Sequence, residues 1–186
     1  MSNDSNASPL SRNRLMNALL TELIKNSKRS DRELSRTLHV SQATVSRTRK
    51  KLERKVIKQY TVIPNLVEMG YQVLAFTFLS MKISGFGSSD NYWTKAKEWV
   101  RLHNEIIYGA AGEGLNANGI LISVHKSIYE YHKLLNEGRR DWAEQLESVQ
   151  SFVISLENVE GVSKNFSLNS LTASETTAVK PQRKIK

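Results

Sequence analysis

The chain has 186 residues, 39% hydrophobic and 24% charged, which suits one ordinary domain or two small ones and is too apolar for wholesale disorder. It contains no cysteine, so disulfides, thiolate zinc sites and cysteine nucleophiles are excluded. The net charge of +9 is unevenly placed: residues 1–64 carry 14 Lys/Arg against 5 Asp/Glu, residues 65–175 carry 9 against 13, and residues 176–186 carry four basic residues and no acid.

A cationic first third on a mildly acidic body points to a polyanionic partner, with nucleic acid first. A membrane surface fits less well, because the basic part lacks the bulky apolar face of an interfacial helix. Simple solubility charge is the alternative. No apolar run approaches the 18 residues of a membrane span, and the opening MSNDSNASPLSRNR has no apolar segment of a signal peptide. The expectation is a cytoplasmic protein.

In chain order, RLMNALLTELIKN (14–26) places Leu15, Ala18, Leu19, Leu23 and Ile24 on one side of a helix. Ser30-Asp31-Arg32-Glu33 is a capping-box pattern that opens a short second helix with Leu34 and Leu38 inward. His39-Val40 breaks the periodicity, and Ser41 is a good N-cap for a third helix, QATVSRTRKKLERK. Val56 to Ile63 is β-rich and stops at Pro64, which suits an edge strand or wing.

Two short helices joined by a tight turn, the second strongly basic, describe a helix-turn-helix. At about 100° per residue, with Val45 inward, Ala43, Arg47, Lys50 and Arg54 point away from the core, flanked by Ser46 and Lys51. Ser41, Gln42 and Thr44 are small or polar enough to bring the helix start close to a groove. Arg47 can reach a base edge, where arginine matches guanine bidentately. Lys50, Lys51 and Arg54 come within reach of phosphates, and Arg29, Arg32 and Arg36 are candidates for the flanking backbone. A solvated basic face that touches nothing is the competing reading.

The stretch LLTELIKNSKRSDRELSRTLHVSQATVSRTRKKLERKVIKQYTVIP resembles the N-terminal winged helix-turn-helix of the Lrp/AsnC (feast/famine) transcription regulators. Glu33-Leu34-Ser35, Val40-Ser41, Val45, Leu52-Glu53, Ile57 and Tyr60 sit at matching positions, while Ser11, Arg14 and Asn17 replace acidic residues often found there. The resemblance runs over roughly residues 10–170.

Beyond the basic module, Tyr71–Ile83 reads as a strand apolar on both faces: Val73, Ala75, Thr77, Leu79, Met81 and Ile83 on one, Leu74, Phe76 and Phe78 on the other. Such a strand needs cover on both faces. Gly85–Asp90 reads as a turn, and Tyr92, Trp93, Ala96, Trp99, Val100 and His103 mark an amphipathic helix. Ile106–Ala111 and Gly119–His125 read as strands joined by a glycine-rich loop, Gly112–Asn118. Ser127 opens a second helical region, and Gly161-Val162 with Phe166 and Leu168 fit a closing strand. Over 139–157, Trp142, Leu146, Val149, Val153 and Leu156 favour an extended helix, with Phe152-Val153-Ile154 locally strand-like.

The expected fold class is therefore α+β, a winged helix-turn-helix followed by a ferredoxin-like βαββαβ effector and dimerisation domain. Its boundaries are a disordered N-terminus at 1–9, the DNA-binding domain at 10–64, a linker at 65–72, the ferredoxin-like domain at 73–171 and a disordered basic tail at 172–186. Two helices cover only one sheet face, so a second copy is expected on the other. A twofold dimer would present two recognition helices about one DNA turn apart.

The resemblance implies a small effector, such as an amino acid, bound by the loop between the second and third strands together with a neighbouring subunit. The candidates are Gly112, Glu113, Gly114, Leu115 and Asn116, with a plain hairpin turn as the alternative. Cofactors, metal sites and catalytic residues are not expected: His39, His103, His125 and His132 lack metal-ligand spacing, and Trp93, Trp99 and Trp142 read as core or interface. The partners expected are double-stranded DNA and a homodimer or higher oligomer, with no membrane. The function expected is sequence-specific transcription regulation. The alternatives are an architectural, weakly selective DNA-binding protein and, more remotely, a tetrapyrrole-processing enzyme on the same fold.

Overall fold

The computed structural model describes residues 9–82, 90–164 and 166–175. The expected disorder of residues 1–8 and 176–186, the turn at 85–89 and the place of Ile83 lie outside the described residues. The chain divides into two compact units. One joins the residues up to Val62 with the segment from Lys164; the other is Ile63–Ser163.

The first unit holds α1 (Pro9–Lys25), α2 (Asp31–Leu38) and α3 (Gln42–Lys55). Leu19 and Leu23 of α1 meet Leu34 of α2 and Val45 and Leu52 of α3 in a buried cluster, with Met16, Leu20, Leu38, Val40 and Ile57 partly buried against it. Each full side-chain burial contributes about 1.5–3 kcal/mol, so three short helices stand on one shared core.

Four expectations at the borders of this unit are corrected. Val56–Ile63 forms no strand: the Val56 and Ile57 amides both donate to the Leu52 carbonyl at 2.7 and 2.8 Å, and the chain runs on irregularly. β-propensity alone does not make a strand where no ladder partner lies alongside. The described residues of 161–168, expected as a closing strand, form none, and residues 172–175, expected in the disordered tail, belong to a 3-10 helix, Asn169–Glu175, packed on α1. Pro9, expected in the disordered N-terminus, begins α1.

The second unit is β1 (Val73–Met81), α4 (Asp90–Leu102), β2 (Ile106–Gly114), β3 (Ala117–His125), α5 (Ile128–Asp141) and β4 (Leu146–Ser155). The sheet order is β2-β3-β1-β4 with every neighbouring pair antiparallel. Each helix thus returns the chain past one intervening strand, the split βαβ arrangement of a ferredoxin-like domain. Ser127 starts α5 by accepting from the Glu130 amide. The extended helix expected over 139–157 is corrected, since α5 stops at Asp141 and the fourth strand follows. Val149 and Val153, four apart, fit a helical period, but they also share parity and so one face of a strand. The β-bulge between Ser80 and Met81 shifts Leu146 out of that alternation.

The register sorts the two faces. Val73, Ala75 and Thr77 are buried beneath the helices, aligned with His125, Ser123 and Leu121 of β3. His125 is buried, its Nε2 2.8 Å from the Ser123 hydroxyl, and burial pushes its imidazole below the ordinary histidine range. On the opposite face Phe76 pairs with Ile122 and Phe152, and Ile122 with Tyr108. Phe152 is 65% and Tyr108 54% exposed, so this apolar face has no cover among the described residues of the unit.

Gly138 sits inside α5, where a Cβ would meet the Trp99 ring at 3.7 Å, an ordinary contact. Gly138→Ala is therefore expected to raise unfolding stability by about 0.5–1 kcal/mol, from reduced unfolded-state entropy without a clash. Urea denaturation checks this, and a loss of stability would show the site to be more crowded than the geometry gives.

Candidate nucleic-acid interface

The α2–turn–α3 unit is built from local caps. The Ser30 hydroxyl accepts from the Glu33 amide at 3.3 Å, while the Ser30 amide donates to Glu33 Oε2 at 2.7 Å, a reciprocal capping box. The Ser30 hydroxyl, which also donates to Glu33 Oε2 at 2.7 Å, and then the Ser30 amide hold the Glu33 carboxyl below the usual carboxylate range. α2 ends at His39, which adopts the left-handed conformation at φ 53° and lets the Val40 amide return to the Ser35 carbonyl at 3.1 Å. Ser41 then caps α3 by accepting from the Thr44 amide at 3.1 Å. The turn between the helices is thus three residues, His39, Val40 and Ser41.

Within α3, Val45, Thr48 and Leu52 are buried. The Thr48 hydroxyl donates to the Thr44 carbonyl at 2.8 Å, so its burial leaves no unpaired polar group. The opposite face carries Gln42, Ala43, Arg47, Lys50, Lys51 and Arg54, all exposed; Ser41 is exposed at the cap, and Thr44 and Ser46 are half-buried at the flanks. Arg54 Nε donates to the Lys50 carbonyl at 3.2 Å, which lays that side chain along the end of the helix. Arg32 and Arg36 are exposed on α2.

Two arginines serve the scaffold. Arg29, expected at the DNA backbone, is half-buried, and its guanidinium donates to Glu22 of α1 and to Thr37 of α2. Arg49, which sequence reasoning passed over, donates from Nε to Asp31 at 2.7 Å and from a terminal nitrogen to the Arg29 carbonyl at 2.9 Å. The signal for Arg49 was present: at about 100° per residue it falls about 40° from Val45, on the core side of the wheel. Glu22 and Asp31 are the acids that neutralise these two cations. Among the described residues Arg47, Lys50 and Lys51 on the outer face of α3, with Arg32 and Arg36 of α2, make no ion pair.

The glycine-rich segment of the second unit is a tight hairpin rather than a seven-residue loop. The ladder continues to Gly114 opposite Ala117, and Leu115 and Asn116 form the turn with φ 52° and 53°. Positive φ at both turn positions is the hairpin geometry that matches strand twist. Gly112, Glu113, Gly114, Leu115 and Asn116 are all exposed. Asn118 bridges to the end of β1 instead, accepting from the Met81 amide at 2.8 Å and donating to its carbonyl at 2.7 Å. Among the histidines, His103 stacks on Trp99 and lies 3.5 Å from Glu137. Among the described residues no group of three or more His, Asp or Glu could hold a metal ion, and no helix is long and apolar enough to cross a membrane.

If Arg49 is the clamp between α2 and α3, Arg49→Ala costs about 1–2 kcal/mol, the scale of charge-assisted hydrogen bonds that are partly shielded from solvent. Lys51→Ala, on the outer face, leaves stability within about 0.5 kcal/mol. Parallel urea titrations of both variants decide it, and equal effects would remove the clamp.

No protein-family profile matches the chain, and no curated protein sequence matches it. Solved structures do. A Neisseria meningitidis transcriptional regulator in complex with L-Met superposes with a TM-score of 0.70 at 15% identity, over 84% of this chain and 94% of that one. An AsnC family transcriptional regulator from Agrobacterium tumefaciens gives 0.68 at 18% identity, over 83% and 94%. LrpC of B. subtilis gives 0.63 at 21% identity, over 83% and 95%. At these identities the likeness is one of fold: this chain has the fold of the Lrp/AsnC-type regulators, the resemblance already carried by its helix-turn-helix sequence.

Proposed function

We propose that the chain is a sequence-specific DNA-binding transcription regulator of the Lrp/AsnC type, working as a homodimer or higher oligomer and responsive to a small molecule such as an amino acid. The observation that carries this reading is the outer face of α3, where Arg47, Lys50 and Lys51 stand exposed opposite a buried Val45–Thr48–Leu52 seam. The first turn, Gln42-Ala43-Thr44, lacks bulk and lets the helix start enter a major groove. Arg47 then reads guanine edges, and Lys50, Lys51 and Arg54 neutralise phosphates. Arg32 and Arg36 add backbone contacts from α2.

The uncovered sheet face supports the dimer. A second copy laid on Phe76, Ile122 and Phe152 removes an apolar surface that a monomer would leave in water. Twofold symmetry then sets two α3 helices against a pseudo-palindrome. For the effector, the exposed hairpin tip from Gly112 to Asn116 offers one wall, and a neighbouring subunit would supply the other. The L-Met complex of the Neisseria neighbour supports an amino acid as the ligand class.

Selection of bound fragments from a random DNA pool, with and without a mixture of amino acids, tests the reading. A recovered motif supports it; uniform recovery of all sequences instead marks an architectural binder. On the recovered site, Arg47→Ala is expected to cost about 1–3 kcal/mol and relax one base position. Lys51→Ala is expected to weaken all sites alike and lower the salt slope by about one. In sedimentation, Phe152→Glu is expected to shift the protein to monomer, and an unchanged mass would move the interface elsewhere.

A further inference from the structure

The second unit contains a cavity of about 450 Å³ between α4, α5 and the helix-covered face of the sheet. It is distinct from the hairpin tip and from the uncovered sheet face. Its size falls in the range of small-molecule sites. The room has a sequence cause: Gly109, Gly119 and Gly138, with Ala96 and Ala111, line it where larger side chains would fill it. The walls are apolar and aromatic, with Trp99, Trp142, Leu121 and Leu134 among them. The Trp99 indole N–H donates to Asp141 at 2.9 Å, and the Lys95 ammonium lies 4.7 Å from the Trp142 ring centroid, so both rings are fixed from behind.

The ionic lining is one-sided. Lys97 and Arg101 of α4 and Arg139 of α5 line the cavity, and no acidic side chain does among the described residues. Glu98 takes the Arg101 guanidinium at 2.6 Å. Lys97 and Arg139 have no carboxylate within ion-pair distance among the described residues. Two uncommitted cations on facing helices, over an aromatic pocket, suit one carboxylate carried on an apolar or aromatic body. They do not suit an α-ammonium group, which would meet only like charge.

We propose that this cavity binds an aromatic monocarboxylate lacking an ammonium group, an arylalkanoate or a 2-oxo acid, with the ring between Trp99 and Trp142 and the carboxylate on Lys97 and Arg139. The site is separate from the DNA-binding reading and does not depend on it.

Isothermal titration calorimetry of the full chain without DNA tests this with three probes of similar shape: indole-3-propionate, indole and L-tryptophan. Indole-3-propionate is expected to bind at least about tenfold more tightly than either other probe, the factor expected of a charge-assisted hydrogen bond. The Lys97→Glu/Arg139→Glu double variant changes exposed positions only and should abolish that advantage with an unchanged circular dichroism spectrum. Ala96→Met, a good helix former that narrows the cavity, should weaken binding of the same probe. Absence of indole-3-propionate binding, equal binding of L-tryptophan, or binding indifferent to both variants would overturn the proposal.

Discussion

The burial of Leu34, Val45 and Leu52 against Leu19 and Leu23 is the constraint on which the basic unit depends. It fixes the rotation of α3 about its own axis. Once Val45 and Leu52 point inward, Arg47, Lys50 and Lys51 have nowhere to go but outward. The ion pair of Arg49 with Asp31, and the bonds of Arg29 to Glu22 and Thr37, add a polar layer around that core. The capping box and the Ser41 cap fix where each helix begins. Position along the axis and rotation about it are thus both set, which is what reading a groove requires.

The second unit solves a different problem with the same logic. Its two helices cover one face of a four-stranded sheet and leave the other apolar. The small residues Gly109, Gly119 and Ala111 of the sheet line the cavity left between it and the helices. One unit therefore offers two separate surfaces for binding, an open sheet face suited to a second copy and a cavity, open to solvent, suited to an apolar anion.

Much of this was legible in the sequence because it is local. Ser30 and Glu33 stand three residues apart, so their reciprocal bonds need no tertiary information. The same holds for the Ser41 cap and the inward spacing of Val45 and Leu52. The βαββα part of the order was legible from alternating periods, while the last strand was expected at 161–168 and forms at Leu146–Ser155. What failed required knowledge of partners distant in the chain. A spacing of four between Val149 and Val153 suits a helix and a strand alike, and only pairing with β1 decides between them. The wing segment has the composition of a strand but pairs with no strand among the described residues. Arg29 looks like a DNA contact by charge alone, and only the position of Glu22 identifies it as scaffold, whereas the core-side place of Arg49 follows from helical spacing and only its partner Asp31 does not. The cavity was invisible, because glycines on three different elements must first be brought to one place.

The most direct test of the outward α3 face uses the absence of cysteine from the chain, which lets a single introduced thiol carry a DNA-cleaving iron chelate. Attached at Ala43→Cys, the chelate should cut bound DNA at a few adjacent bases from the major-groove side, in two clusters about one helical turn apart. Attached at Tyr129→Cys, 76% exposed on α5 of the other unit, it should leave no comparable clusters. Equal cutting from both positions, or none from position 43 on DNA that the protein demonstrably occupies, would contradict the account.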